Sequence, residues 1–556
     1  MSASAIELGG EPLTLDALDV WLDRPVRATL APAGVERARR GREWVERVLA
    51  SGATVYGINT GFGHLKNVRI AADQLDQLQE NLIISHAVGV GRPAPAEIVR
   101  WMLLLKVHML LAGHSGVRVE IIERLAAWLN DDLLPIVPTR GSLGASGDLA
   151  PLAHLVLPLL GRGVFRRRAS IDDSYFVHDD PDGASTQTWE ALPAAELHQQ
   201  RGWTPFRLAA KEGLALINGT QFMLSYAANI GVRARRLLDL IDLVYCMSLE
   251  GLRGSLTPAD PRLHTVRAHP GAQRVAANIR GHMIGSEILA SHADCDRVQD
   301  PYSLRCAPQV HGAVRDALQH FCDVIEREMN SVTDNPILFE RHEGTEARRH
   351  EGGTSDGATE RPSDEVNATS AIVDALSGGN FHGEPLALVL DYLAIALTDL
   401  GNICERRVYL LLNGDDGLPK LLMRDTGLNS GFMLPQYTAA ALVNECKVMA
   451  TPASIDTIPT SLGQEDHVSM GATSAVKCFE ILDRLEHIVG IEMMCAAQAI
   501  DYRAPLKPGR GPRAAHEIVR KHITHADRDR QFGEDIHASV RLLRENAELL
   551  AIARSV

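Results

Sequence analysis

Arg236-Leu-Leu-Asp-Leu-Ile-Asp-Leu-Val244 places Leu237, Leu240, Ile241 and Val244 three and four residues apart, with Arg236, Asp239 and Asp242 between them. That is the repeat of one face of an α-helix. The stripe returns nearer the C-terminus, where Cys478, Leu482, Leu485 and Val489 line up while Glu480, Asp483, Arg484 and Glu486 fall outside it. Such a pattern fits an amphipathic helix packed in a bundle. Apolar runs at Trp101–Leu111 and Leu386–Leu400 predict more deeply buried helices. Alternating strand patterns are scarce and aromatic residues make up only 5% of the chain, which argues against a large sheet or barrel. The predicted fold class is mostly α, a large helical bundle core of long helices with a smaller N-terminal region.

The chain has 556 residues, 45% of them hydrophobic and 23% charged, a composition suited to a folded protein with a sizeable core. A formal net charge of −14 argues against general affinity for nucleic acid or anionic membranes and favours a small-molecule partner. The cysteines, Cys246, Cys295, Cys306, Cys322, Cys404, Cys446, Cys478 and Cys495, form no C-x-x-C pair, as expected of reduced thiols in a cytoplasm. The N-terminal stretch lacks the pattern of a secretory signal. Gly213–Val232 is long and uncharged enough to suggest a membrane span, yet Asn218, Thr220, Gln221, Ser225 and Asn229 predict a buried helix with its flanks. Residues 162–205 and 341–365 break the periodicity and are expected to be surface insertions. Neither a solenoid repeat nor a sustained heptad is present.

The most informative segment is Gly141-Ser-Leu-Gly-Ala-Ser-Gly-Asp148-Leu-Ala-Pro-Leu-Ala-His154, a glycine-rich turn running into an apolar helix. Asp148 is placed to cap that helix, and Pro151 suits its first turn. Four other blocks accompany it: Tyr56-Gly-Ile-Asn-Thr-Gly-Phe-Gly63, Ile217-Asn-Gly-Thr-Gln221, Gln299-Asp-Pro-Tyr302-Ser-Leu-Arg305 running on to His311, and Ser377-Gly-Gly-Asn-Phe-His-Gly-Glu384. Taken singly, each reads as a turn, a packed loop or a surface salt-bridging group.

Together these blocks resemble the signatures of the ammonia-lyases that contain 4-methylidene-imidazol-5-one, the family of histidine, phenylalanine and tyrosine ammonia-lyases. The resemblance spans the chain and implies a fumarase/aspartase-like helical architecture and a homotetramer with sites shared between subunits. It also implies one lyase unit over 1–556, with an N-terminal region to about 205, a central bundle to about 470 and terminal helices beyond. In that family the prosthetic ring forms from the chain itself, here from Ala145, Ser146 and Gly147, with no metal or external cofactor. The residue types suit this: a strained cyclisation needs an unhindered Gly nitrogen, a small Ala and a Ser hydroxyl that can leave. The product is an electrophile, which side chains hardly supply.

The same resemblance implies the remaining roles. Tyr56 is the expected base, with Tyr302 in reserve, and phenolate serves only if its pKa is lowered from about 10 by a positive environment. Arg305 would clamp the substrate carboxylate through its planar fork. Gln299 and Tyr302, sharing a face if that stretch is helical, would orient substrate and ring. Asn218 would polarise the ring oxygen, and Phe381 would lie beside the ring. Of the substrate's two nitrogen groups, the amine is favoured over the imidazole as the one the ring captures.

Two positions bear on the substrate. Ser85-His86, within Asn81-Leu-Ile-Ile-Ser-His-Ala-Val-Gly-Val-Gly91, and Gln464-Glu465-Asp466-His467 resemble the combinations of the family's histidine-specific members. They imply release of ammonia from L-histidine to give urocanate, with His86 and Glu465 meeting the imidazole. Such a polar site should reject phenylalanine by roughly 10⁴ or more. Alternatives are a phenylalanine or tyrosine lyase, an aminomutase with the same ring, and a non-catalytic helical relative. His522 and His525 have a spacing that could suggest a metal but read better as a solvated face.

Overall fold

The computed structural model describes residues 5–22, 24–52, 55, 57–60, 70–168, 189–340 and 373–556. The protein is mostly α-helical, with short strands confined to small two- and three-stranded sheets. It divides into two compact units. One comprises Met1–Ser225, Glu328–Gly383 and Asp456–Ala472; the other comprises Tyr226–Arg327, Glu384–Ile455 and Thr473–Val556.

The second unit is a bundle of long helices, including most of Gln221–Gly251 and Gly471–Asp501 together with Ala307–Met329 and Glu384–Leu412. The stripes read from the sequence form its core: Leu237, Leu240, Ile241, Val244, Cys478, Leu482, Leu485 and Val489 are all buried. Burying each large aliphatic side chain contributes about 1.5–3 kcal/mol, enough to fix the helix faces. Between the apolar layers the helices are stitched by enclosed polar groups. Arg407 donates to Glu492 at 2.5 and 2.9 Å, Ser248 adds a bond to the same carboxylate at 2.7 Å, and His311 and Arg315 both engage Asp242.

Helix Glu384–Leu412 departs from expectation. The helix is not buried all round: Leu388, Tyr392 and Ile395 of the apolar run, and Tyr409 beyond it, are 53%, 50%, 47% and 51% exposed. Their spacing puts them along one side of the helix, opposite the buried Leu386, Leu390, Leu393 and Leu397. The helix has the length and hydropathy of a membrane span, but 61% of its apolar window is buried within the protein, as in a core helix.

The first unit is built around helix Ala96–Leu110, most of whose residues are inaccessible, with Val119–Asn130, Leu75–His86 and Leu149–Val156 among the others. The stretch 162–205, expected as a surface insertion, is partly integral to this unit. Strand Val164–Arg168 pairs with Leu134–Pro135 and Trp189–Pro193, and buried Phe165 meets Trp128 edge-on at 4.9 Å. One apolar anchor on the pairing strand is what the polar composition of the stretch concealed. Residues 341–365 lie outside the described residues. Gly213–Val232 is buried nearly throughout, as predicted, and its polar groups point to internal partners such as Thr220 to Glu328 and Gln221 to Thr333.

Candidate active site

The glycine-rich segment forms a tight reverse turn in the first unit. Gly144 and Gly147 take φ of 93° and 77°, and Ser146 between them adopts a left-handed φ of 51°, a conformation that costs a non-glycine residue energy and needs outside support. The support comes from two neighbouring stretches. The Gly147 N–H turns back to the Gly144 carbonyl at 3.1 Å, the Asp148 N–H bonds Gly219 O at 2.8 Å, and the Met470 N–H bonds Leu143 O at 3.0 Å. A Cβ on Gly147 would stand 2.2 Å from Gly219 O and 3.1 Å from Phe381 O, so only glycine fits. Asn218 and the main chain of Phe381 are thereby brought to the tripeptide.

These features fit the ring-forming chemistry. The Gly147 nitrogen carries no flanking side chain, the chain is already bent back on itself at Ser146, and buried Asn218 Oδ1 has no hydrogen-bond partner among the described residues. An orphaned buried acceptor of this kind calls for a donor such as a substrate ammonium, and leaves the amide N–H of the same side chain for a ring oxygen.

Asp148 does not cap its own helix. No side-chain bond reaches the first turn of Leu149–Val156; the carboxylate instead accepts the N–H groups of Phe222 and Met223 at 3.0 and 2.9 Å, at the start of helix Gln221–Gly251. The bend at Gly147 aims the side chain across to that neighbour, where the first turn of a longer helix begins. Burial pushes the Asp148 carboxyl up to about 7, against the opposing pull of those N–H groups, Ser142 and the charge of Lys106. Behind Asn218 lies Lys106, wholly buried, its Nζ 2.7 Å from the Asn218 carbonyl. Burial lowers its ammonium to about 7. Sequence reading passed over Lys106 because it stands inside an apolar run; a lone Lys at the centre of that run was the available signal.

His86 and Glu465 belong to the same unit. His86 Nδ1 meets the Leu82 carbonyl at 2.7 Å and Ser85 Oγ at 3.1 Å; a carbonyl only accepts, so Nδ1 carries the proton and Nε2 is left as the acceptor nitrogen. Burial lowers the His86 pKa, while the Leu82 carbonyl and the negative charge of Glu465 oppose that shift. Glu465 sits on a turn closed by Thr460, whose hydroxyl donates to its carboxylate at 3.0 Å. His382 and His467 stack with ring centroids 5.7 Å apart.

The third group lies in the second unit. Arg305 places its guanidinium 4.6 Å from the centre of the Tyr302 ring, and its Nε is buried with no partner among the described residues. Tyr302 is 70% exposed. Gln299 does not share a helical face with Tyr302: the helix spans Tyr302–Arg305, and Gln299 precedes it on irregular chain, because Pro301 starts the helix. Tyr56 lies outside the described residues, although Gly57–Thr60 beside it form a turn in which Thr60 Oγ accepts the Gly57 N–H. His525 pairs with Asp501 at 2.6 Å, and His522 is exposed.

Comparison with known proteins agrees with this geometry. The sequence profile described as aromatic amino acid lyase matches residues 13–521. A histidine ammonia-lyase of Myxococcus xanthus is 44% identical over 556 residues, covering 100% of this chain and 99% of its own. The crystal structure of histidine ammonia-lyase from Trypanosoma cruzi superposes with a TM-score of 0.82 at 36% identity, covering 99% of this chain and 95% of its own. Tyrosine aminomutase from Streptomyces globisporus gives a TM-score of 0.84 at 32% identity, with 99% of each chain covered. With a profile and relatives that span nearly its whole length, the chain belongs to the aromatic amino acid lyase family.

Proposed function

We propose that the protein is an ammonia-lyase acting on L-histidine, giving trans-urocanate and ammonia in the first step of histidine degradation. The observation that carries the reading is the presence, within one compact unit, of the Ala145–Ser146–Gly147 turn and of a His86 and Glu465 suited to an imidazole. Closed from the tripeptide, 4-methylidene-imidazol-5-one supplies the electrophilic carbon that side chains lack.

The other residues bind, orient and move protons. Arg305 holds the α-carboxylate in two charge-assisted bonds. Tyr56 takes the β-proton, with Tyr302 the alternative, its ring already faced by the Arg305 cation. His86 and Glu465 meet the imidazole, the Glu465 carboxylate accepting its N–H, and Gln299 orients the substrate. The side-chain amide N–H of Asn218 donates to the oxygen of the group built from the tripeptide, and Phe381 walls it.

The chain acts as one lyase unit over 1–556, and we assign it to the cytoplasm as a homotetramer whose sites draw on several subunits. Supporting the assembly is the apolar side of Glu384–Leu412, since exposed faces of that kind are usually covered by a partner. The test is to incubate the purified protein separately with histidine, phenylalanine and tyrosine. Urocanate from histidine alone is expected. Cinnamate or coumarate would refute the substrate assignment, and a β-amino acid would indicate an aminomutase.

A further inference from the structure

Lys106 is the one Lys or Arg in the run Trp101–Leu111 and is 0% exposed. The acids around it are engaged elsewhere: Asp334 is bonded by Lys211 at 2.6 Å, and Asp148 by the N–H groups of Phe222 and Met223. The contacts of its Nζ are neutral, the Asn218 carbonyl at 2.7 Å and Gln221 Oε1 at 3.4 Å. Burying an amine chiefly against a carbonyl is unfavourable compared with an apolar side chain of the same length. Packing alone does not account for it.

The Asn218 carbonyl is the outer face of a thin wall. On the inner face, Gly219 O accepts the Asp148 N–H at 2.8 Å and the Gly219 N–H points to Ser146 O at 3.4 Å. Gly147 backs directly on Gly219, with no room for a side chain. A shift of the Asn218 carbonyl therefore moves the surface that keeps Ser146 left-handed.

We infer that Lys106 is a positioning residue for ring closure: by gripping the Asn218 carbonyl it holds Asn218 and Gly219 as the wall against which Ala145–Ser146–Gly147 folds back on itself. The inference rests on the ammonia-lyase reading and extends it to a residue that touches neither the substrate nor the tripeptide.

The test compares the intact mass, thermal unfolding, kcat and KM of the parent, Lys106→Met and Lys106→Arg. Met matches the length of Lys and removes the donor; Arg keeps a donor. The parent is expected to be lighter than its formula by a pair of water molecules. K106M is expected to unfold cooperatively yet to contain about tenfold less dehydrated chain, the worth of about one hydrogen bond. Its kcat should fall in proportion with KM unchanged, and K106R should recover both mass loss and kcat. A folded, fully dehydrated K106M with parent kcat overturns the inference, as does a folded K106R at full formula mass. Should K106M lack a cooperative transition, the K106R mass decides alone. A parent at full formula mass overturns the lyase reading and this inference together, whereas a dehydrated parent beside an equally dehydrated K106M overturns the inference alone.

Discussion

The carboxylate of Asp148 accepts the main-chain N–H of Met223 at 2.9 Å, joining the residue after the Ala145–Ser146–Gly147 turn to the first turn of helix Gln221–Gly251. Burial holds that carboxyl at about 7 in the folded chain, against about 4 when unfolded. The folded state therefore binds the extra proton between those values. Stability from the protonated acid is complete below about pH 4 and is lost as pH rises through about 7, at about 1.4 kcal/mol for each pH step between the two values. Asp148→Asn is neutral throughout, so its melting temperature relative to the parent should climb from pH 4 to 7 and then level off. A difference that does not vary with pH would remove the basis for this prediction.

Ser146→Ala should fold, keep its full formula mass and lose on the order of 10³-fold or more in kcat, as expected when a covalent catalyst is removed. Mass spectrometry and a urocanate absorbance assay check both parts. Ammonia release at the parent rate would sink the proposed chemistry.

Glu465→Gln keeps the turn with Thr460 but removes the charge. We expect kcat/KM for histidine to drop roughly 10- to 100-fold, the worth of about 1.5–3 kcal/mol for a hydrogen bond to a charged group. Activity on phenylalanine should fall less, so steady-state kinetics on both substrates should show discrimination narrowing. An unchanged ratio would place Glu465 away from the imidazole.

Arg407→Met leaves Glu492 enclosed without its cation, with the Ser248 bond retained. Urea denaturation should register a loss of about 3–5 kcal/mol, and Arg407→Met with Glu492→Leu should recover much of it. A double variant as unstable as the single one would contradict the claim that the stranded charge is the cause.

Much of this was legible in the sequence because it depended on local spacing. The stripes at Leu237–Val244 and Cys478–Val489 set helix faces by periodicity alone, and glycines at 144 and 147 announced a turn that only they can make. What escaped depended on which distant groups meet. Asp148 read as the cap of its own helix because a sequence shows the nearest N–H groups, not those reached across a bend. Leu386–Leu400 read as more deeply buried than it is on one side because hydropathy does not say which side of a helix its own unit covers. Gln299 was grouped with Tyr302 by a spacing that holds only inside a helix, and the helix begins after it.

On the proposed ring-forming chemistry, the close approach of Gly147 to Gly219 also ties maturation to folding. Segments remote along the polypeptide must already be seated before the tripeptide can take its bent shape, so a nascent or half-collapsed molecule has no template for dehydration. On the proposed chemistry, gain of the electrophile would certify completed assembly of this region, and misfolded copies would stay chemically inert.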